Sequence, residues 1–252
     1  MQKTLEEAPA AEILSWAVDT YGPAFAVSTS FQSEGMVLVD MLSRAAKNPR
    51  VLTLDTGRLP DETYQMIDTV RERYGIRVEV VRPDPAEVES MVTLHGPDLF
   101  HRDVARRMLC CHLRKVRPLE RKLAEFRAWA VGLRRSQNES RAAVLKVDFD
   151  SAPVKLSPLA DWTAEQVEQY TARHGVPRHP FYARGYTSIG CAPCTRAVEP
   201  GEDERAGRWW WERDADKECG IHFTADGRAQ RTVDVLLEEV LRAKCPSGSP
   251  RA

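Results

Sequence analysis

In the first hundred residues, a short apolar run breaks into a polar turn and resumes as an amphipathic helix three times over. Phe25-Ala26-Val27 leads through Ser28-Thr29-Ser30-Phe31-Gln32-Ser33-Glu34-Gly35 into a helical pattern from Met36 to Ala46. Val51-Leu52-Thr53-Leu54 ends in Asp55-Thr56-Gly57, followed by a helix that carries Tyr64, Ile67, Val70 and Tyr74 and closes at Gly75. Val78-Glu79-Val80-Val81 precedes Asp84-Pro85-Ala86-Glu87, a capped helix start that predicts a helix to about Leu94. Strands buried on both faces read as continuous apolar runs, and parallel neighbours need helical crossovers. The alternation therefore predicts an α/β fold with a mostly parallel central sheet flanked by helices. In such sheets ligands bind outside the carboxyl ends of the strands, where the polar turns lie.

Elsewhere the pattern is less regular. Thr4 with Glu7 reads as a capping box, predicting one helix over 4–21 that stops at Gly22-Pro23. A basic helix is expected from Arg114 to Phe126, with Pro118 near a start or kink, then a strand from Ala128 to Leu133. Val144 to Phe149 and Lys155 to Leu159 read as extended, Thr163 to His174 as a helix ended by Gly175, and Thr232 to Ala243 as a last amphipathic helix. Between Pro177 and that helix the periodicity fades. This division predicts an α/β body over 1–200 and a C-terminal segment over 201–252.

The 36 Lys and Arg residues are balanced by 37 Asp and Glu, a net charge of −1, which argues against a nucleic-acid coat or a polybasic membrane binder. No stretch approaches the roughly 18 apolar residues of a spanning helix. The acidic start Met1-Gln2-Lys3-Thr4-Leu5-Glu6-Glu7 is unlike a signal peptide. A cytoplasmic location is expected, where disulfides are a poor default for Cys110, Cys111, Cys191, Cys194, Cys219 and Cys245.

Several groups have the chemistry of a site. The turns Ser28 to Ser33 and Leu54-Asp55-Thr56-Gly57 end neighbouring strands, so they should frame a nucleotide-sized crevice, with backbone N–H groups available to phosphate. Arg134, Arg135 and Arg141 share one loop, and Arg205 and Arg208 flank Gly207; guanidinium forks suit phosphate and sulfate oxygens. Cys110-Cys111 and Cys191-Ala192-Pro193-Cys194 could give four thiolates to one centre, zinc or an iron–sulfur cluster. Adjacent thiolates reach two irons more easily than one ion, which favours the cluster. Cys219, in Lys217-Glu218-Cys219-Gly220-Ile221-His222, reads equally as an inert thiol or a nucleophile. His95, His101, His112, His174 and His179 show no metal spacing and read as surface or capping residues, with His112 beside the cysteine pair.

Taken in order, Ser30-Phe31-Gln32-Ser33-Glu34, Leu54-Asp55-Thr56-Gly57, Arg134-Arg135-Ser136-Gln137, the two cysteine pairs and Lys217-Glu218-Cys219-Gly220-Ile221-His222 resemble the assimilatory adenylyl-sulfate reductases over about residues 23 to 223. The resemblance implies an adenine nucleotide α-hydrolase-like, Rossmann-like fold and a 4Fe-4S cluster. It implies thioredoxin-dependent reduction of adenosine 5'-phosphosulfate to sulfite and AMP through a cysteine S-sulfonate, in sulfate assimilation and cysteine biosynthesis. On this likeness Ser28, Thr29, Ser30, Phe31, Gln32, Ser33, Leu54, Asp55, Thr56 and Gly57 would bind the nucleotide. Arg134, Arg135, Gln137, Arg141, Arg205 and Arg208 would face its phosphosulfate. Cys110, Cys111, Cys191 and Cys194 would hold the cluster, Lys115 would lie near it, and Cys219 would be the nucleophile. The 1–200 body would carry nucleotide and cluster, and 201–252 the catalytic cysteine. The family's Arg-Arg-x-Gln-Ser reads Gln137-Asn138 here, and the loop to Arg141 is one residue short. Partners implied are thioredoxin and the nucleotide, without nucleic acid or membrane; a homo-oligomer is left open. The alternatives are a 3'-phosphoadenylyl-sulfate reductase, whose typical members lack both cysteine pairs, and a non-catalytic redox-sensing module that binds a metal or cluster. The Ser-Gly-Gly-x-Asp-Ser loop of ATP-pyrophosphatase relatives is replaced here by Ser28-Thr29-Ser30-Phe31-Gln32-Ser33.

Overall fold

The computed structural model describes residues 2–212 and 227–244. Its centre is a sheet of six strands in the order β3-β2-β1-β4-β6-β5. The strands are β1 (Phe25–Ser28), β2 (Val51–Leu54), β3 (Val78–Val81), β4 (Ala128–Ala130), β5 (Val147–Asp148) and β6 (Val154–Leu156). All neighbours run parallel except β5, which pairs antiparallel with β6. The mostly parallel α/β architecture expected from the alternation is therefore present.

Side chains alternate along a strand, so the central strands β1, β2 and β4 feed two cores. Phe25 and Val27 of β1, with Val51, Ala128 and Ala130, join the core of α2 (Ala10–Tyr21), α3 (Ser33–Ala45), α4 (Asp61–Tyr74) and α8 (Ala164–His174). Ala26, Leu52 and Trp129 face the other way, onto Leu119 and Leu123 of α7 (Arg117–Leu123). A third cluster gathers Met91 of α5 (Pro85–His95), Leu109, Cys110 and Cys111 of α6 (Val104–Cys111), Trp209 and Val240 of α9 (Gly227–Lys244).

Three sequence expectations need correction. The predicted helix over 4–21 is two, α1 (Gln2–Glu7) and α2, because Pro9 cannot donate an i→i−4 bond and takes an extended conformation as the N-cap of α2. Thr4 and Glu7 accordingly sit inside α1 and do not form its cap. The basic helix starts ten residues earlier than Arg114: α6 begins at Val104, capped by the Asp103 carboxylate, passes through a π-helical turn over His112–Val116, and continues as α7 with Pro118 in its first turn. The expected strand to Leu133 ends at Ala130.

Candidate active site

Strand order reverses between β1 and β4: β2 and β3 lie to one side of β1, while β4 and β6 lie to the other. Helical crossovers therefore leave that point in opposite directions and open a crevice at the strands' carboxyl ends. A cavity of about 390 Å³ occupies it.

The turn after β1 forms one wall. Thr29 Oγ1 accepts the Phe31 N–H at 2.9 Å, and Phe31, fully buried, takes a left-handed φ of 59° that bulky residues rarely adopt. Gly35 is required behind this turn, since a Cβ there would lie 2.3 Å from Thr29 Oγ1. No side chain caps α3. The Ser33 N–H donates to Tyr182 Oη at 3.1 Å, and Gln32 is held by Ser30 Oγ at 2.9 Å and by the Ile189 N–H at 2.8 Å. A helix start opening into a cavity in this way suits an anionic group.

Of the residues the sequence assigned to the nucleotide, Ser28, Thr29, Ser30, Gln32, Ser33, Leu54 and Thr56 line the cavity. Phe31, Asp55 and Gly57 do not; they build the turns from behind. Asp55 accepts the Gly57 N–H at 2.9 Å, the Tyr64 hydroxyl at 2.7 Å and Arg82 Nε at 3.0 Å.

Arg134, Gln137, Arg141, Arg205, Arg208 and Lys115 also line the cavity. Arg135 does not. Its guanidinium turns to Glu6 and its Nε donates to the Val144 carbonyl at 2.8 Å, because Arg134 is the extended residue that caps a 3₁₀ turn and Arg135 is the first residue inside that turn, where the chain changes direction. An antiparallel bridge between Thr195 and Arg208, flanked by the Arg196 N–H to the Gly207 carbonyl and the Trp209 N–H to the Cys194 carbonyl, delivers Arg208 to the Cys194 carbonyl, where Nε donates at 3.3 Å.

Cys110, Cys111, Cys191 and Cys194 line one small pocket with Arg58, Arg107, Arg114 and Lys115, and Lys115 is shared with the larger cavity. The β2 turn grips the second cysteine pair: Thr56 Oγ1 lies 3.2 Å from Cys191 Sγ, the Ala192 N–H donates to the Arg58 carbonyl at 2.8 Å, and Arg114 Nη1 donates to the Thr56 carbonyl at 2.7 Å. Burial pushes the Cys110 thiol up to about 11 and Cys194 up to about 12. At Cys191 burial, the largest single influence, is outweighed by Lys115, Thr56, Arg208 and Arg114, and the thiol is held below its ordinary value. Among the described residues no three His, Cys, Asp or Glu side chains close up as ligands of a single ion would. Cys219 and Cys245 lie outside the described residues.

Sequence reasoning missed the far wall, formed by Glu168, Arg178, Tyr182 and 187–190, and gave no role to Glu34 or Trp209. Residues 178–190 carry no periodic pattern, so no local signal pointed to them. Of the histidines read as surface or capping residues, His179 does cap, its buried ring accepting the Phe181 N–H at 3.2 Å at the start of a 3₁₀ turn and pairing with Thr63 Oγ1 at 3.0 Å, whereas His95 is buried and faces α9.

A family model described as the phosphoadenosine phosphosulfate reductase domain matches residues 24–197. An adenosine 5'-phosphosulfate reductase of Allochromatium vinosum is 44% identical over 218 residues, covering 86% of this chain and 85% of its own. One of Burkholderia cepacia is 47% identical over 199 residues, covering 78% and 80%. Among solved structures, the phosphoadenylyl-sulfate reductase of Candida auris, a phosphate complex, aligns with a TM-score of 0.65 at 30% identity over 78% of this chain and 94% of that one. Yeast FAD synthetase in complex with FAD aligns at 0.51 with 13% identity, over 77% and 67%, a likeness of fold alone that agrees with the expected adenine nucleotide α-hydrolase-like architecture.

Proposed function

The chain belongs to the phosphoadenosine phosphosulfate reductase domain family, and from that premise we propose that it is an adenosine 5'-phosphosulfate reductase, reducing that nucleotide to sulfite and AMP for sulfate assimilation. The observation that carries the reading is the shared wall at Lys115: a cavity lined by six arginine or lysine side chains, Lys115, Arg134, Arg141, Arg178, Arg205 and Arg208, abuts a pocket lined by four thiols.

The β1 and β2 turns would hold the nucleotide and the cationic side chains its phosphosulfate. Cys219 is the proposed nucleophile. Its thiolate forms an S–S bond to the sulfuryl sulfur while the S–O bond to phosphate breaks, and the electron pair leaves with AMP. Donors placed on the phosphate oxygens stabilise that departing charge, typically by about 3–4 kcal/mol each. A thioredoxin thiolate then attacks Cys219 Sγ and expels sulfite with the bonding pair, and its second thiol resolves the mixed disulfide. Sulfur is reduced by two electrons and the thioredoxin dithiol is oxidised by two.

The pocket fits a 4Fe-4S cluster by its donor set, with Cys110, Cys111, Cys191 and Cys194 as the ligands. Arg58, Arg107, Arg114 and Lys115 also line it and match a negatively charged thiolate-bound cluster. When bound, the cluster would tie the two cysteine pairs together and place inorganic charge beside the sulfate end of the cavity. A cytoplasmic setting would keep these thiols reduced.

Anaerobically purified protein should contain iron and acid-labile sulfide, and should release sulfite from adenosine 5'-phosphosulfate with thioredoxin. Greater turnover of the 3'-phosphorylated nucleotide would favour the rival reductase. Cys219→Ser should keep iron content and nucleotide binding while abolishing sulfite release; retained turnover would remove Cys219 from the mechanism.

A further inference from the structure

The cavity wall contains an acid where an anion is to bind. Glu34 stands on the first turn of α3, lines the cavity, and leaves 13% of its side chain exposed. A fixed carboxylate there repels a phosphosulfate through a partly desolvated medium, so some other interaction must justify its position.

Its hydrogen bonds supply that interaction. Glu34 Oε1 accepts from Arg134 Nε at 2.7 Å and from Gln137 Nε2 at 3.1 Å. Gln137 Oε1 in turn accepts the Arg134 N–H at 3.1 Å and a bond from Arg141 Nη1. Arg134 and Arg141 are both buried, so neither guanidinium can be oriented by bulk water. The spacing between carboxylate and loop is set by backbone contact. A Cβ on Gly132 would come within 2.6 Å of Glu34 Cβ and 2.9 Å of Gly35 N, so the chain beyond β4 passes directly against the start of α3.

We propose that Glu34 is the positioning residue of the arginine loop, orienting Arg134 directly and Arg141 through Gln137 toward the phosphosulfate. The proposal rests on the reading above that this loop faces that group. It predicts an effect opposite in sign to simple electrostatics: removing the negative charge weakens anion binding.

The test measures equilibrium binding of adenosine 5'-phosphosulfate and of uncharged adenosine to the full-length protein and to Glu34→Gln and Glu34→Ala, together with kcat and KM for sulfite release. Loss of charge-assisted hydrogen bonds to Arg134 should weaken phosphosulfate binding by about tenfold or more in Glu34→Ala. Glu34→Gln keeps an acceptor for Arg134 and should lose only about threefold. Adenosine affinity should stay unchanged in both, and the loss should appear chiefly in KM. Tighter or unchanged phosphosulfate binding in Glu34→Gln overturns the proposal, as do equal losses for both ligands. If Glu34→Ala does not fold, the Gln variant alone decides. Failure of the underlying reading looks different: the unsubstituted protein would then neither bind the nucleotide nor release sulfite.

Discussion

Arg208 shows how one side chain is fixed from several directions. Its guanidinium stacks over Trp209 at 4.6 Å, its Nε meets the Cys194 carbonyl, and it fills the space above Gly190, where a Cβ would stand 2.3–2.5 Å from guanidinium atoms. Trp209 itself is buried at a left-handed φ of 43°, a strained conformation that its packing must enforce, and Arg107 stacks on it at 4.5 Å. Gly190→Ala should therefore displace Arg208 without removing it. Steady-state assays are expected to show kcat/KM falling by about tenfold or more, as for Arg208→Lys, which loses the planar fork, with circular dichroism unchanged in both. The sequence marked Arg208 by its pairing with Arg205 around Gly207. It could not mark Gly190, because that glycine's role is set by a side chain eighteen positions away.

At the scale of elements, the β2 turn depends on Asp55. Burial alone would raise its pKa, but the Tyr64 hydroxyl, the Gly57 N–H and Arg82 together lower it below the ordinary 3.8. A depressed carboxylate contributes stability that is fully present above the unfolded value and is lost as pH falls through the folded one. Asp55→Asn should thus cost about 1–3 kcal/mol near neutrality, and urea midpoints measured against pH should converge with those of the unsubstituted protein at pH below about 3.8. Periodicity located most helices because each buries one stripe against the sheet, as α4 does with Met66 and Val70. The π-helical turn at His112–Val116 left no such trace. It places Lys115 at the wall shared by the two pockets.

Across the whole molecule, residues on both flanks of the segment carrying Cys219 pack on α6, the helix of the Cys110-Cys111 pair. Glu212 accepts from Arg107 Nε at 2.9 Å and Nη2 at 3.1 Å, both side chains buried, while α9 packs against α5 and α6. Glu212→Gln removes the buried carboxylate that accepts two hydrogen bonds from the buried Arg107 guanidinium. It should cost about 3–5 kcal/mol, read as a lower urea midpoint at unchanged slope. An undiminished midpoint would show that water reaches Arg107 once the charge is gone. Among the described residues no helix is long and apolar enough to cross a membrane.

The amino-acid sequence alone determined the alternation that makes a parallel sheet, the turns at its strand ends and the family motifs, because these depend on neighbours within a few positions along the chain. Which of Arg134 and Arg135 enters the cavity, how Glu34 spends its charge, and why four thiols share a wall with that cavity were decided only by the tertiary structure. Those outcomes depend on groups about a hundred residues apart meeting in a close-packed interior, where a side chain's partners follow from the fold and not from its neighbours along the chain.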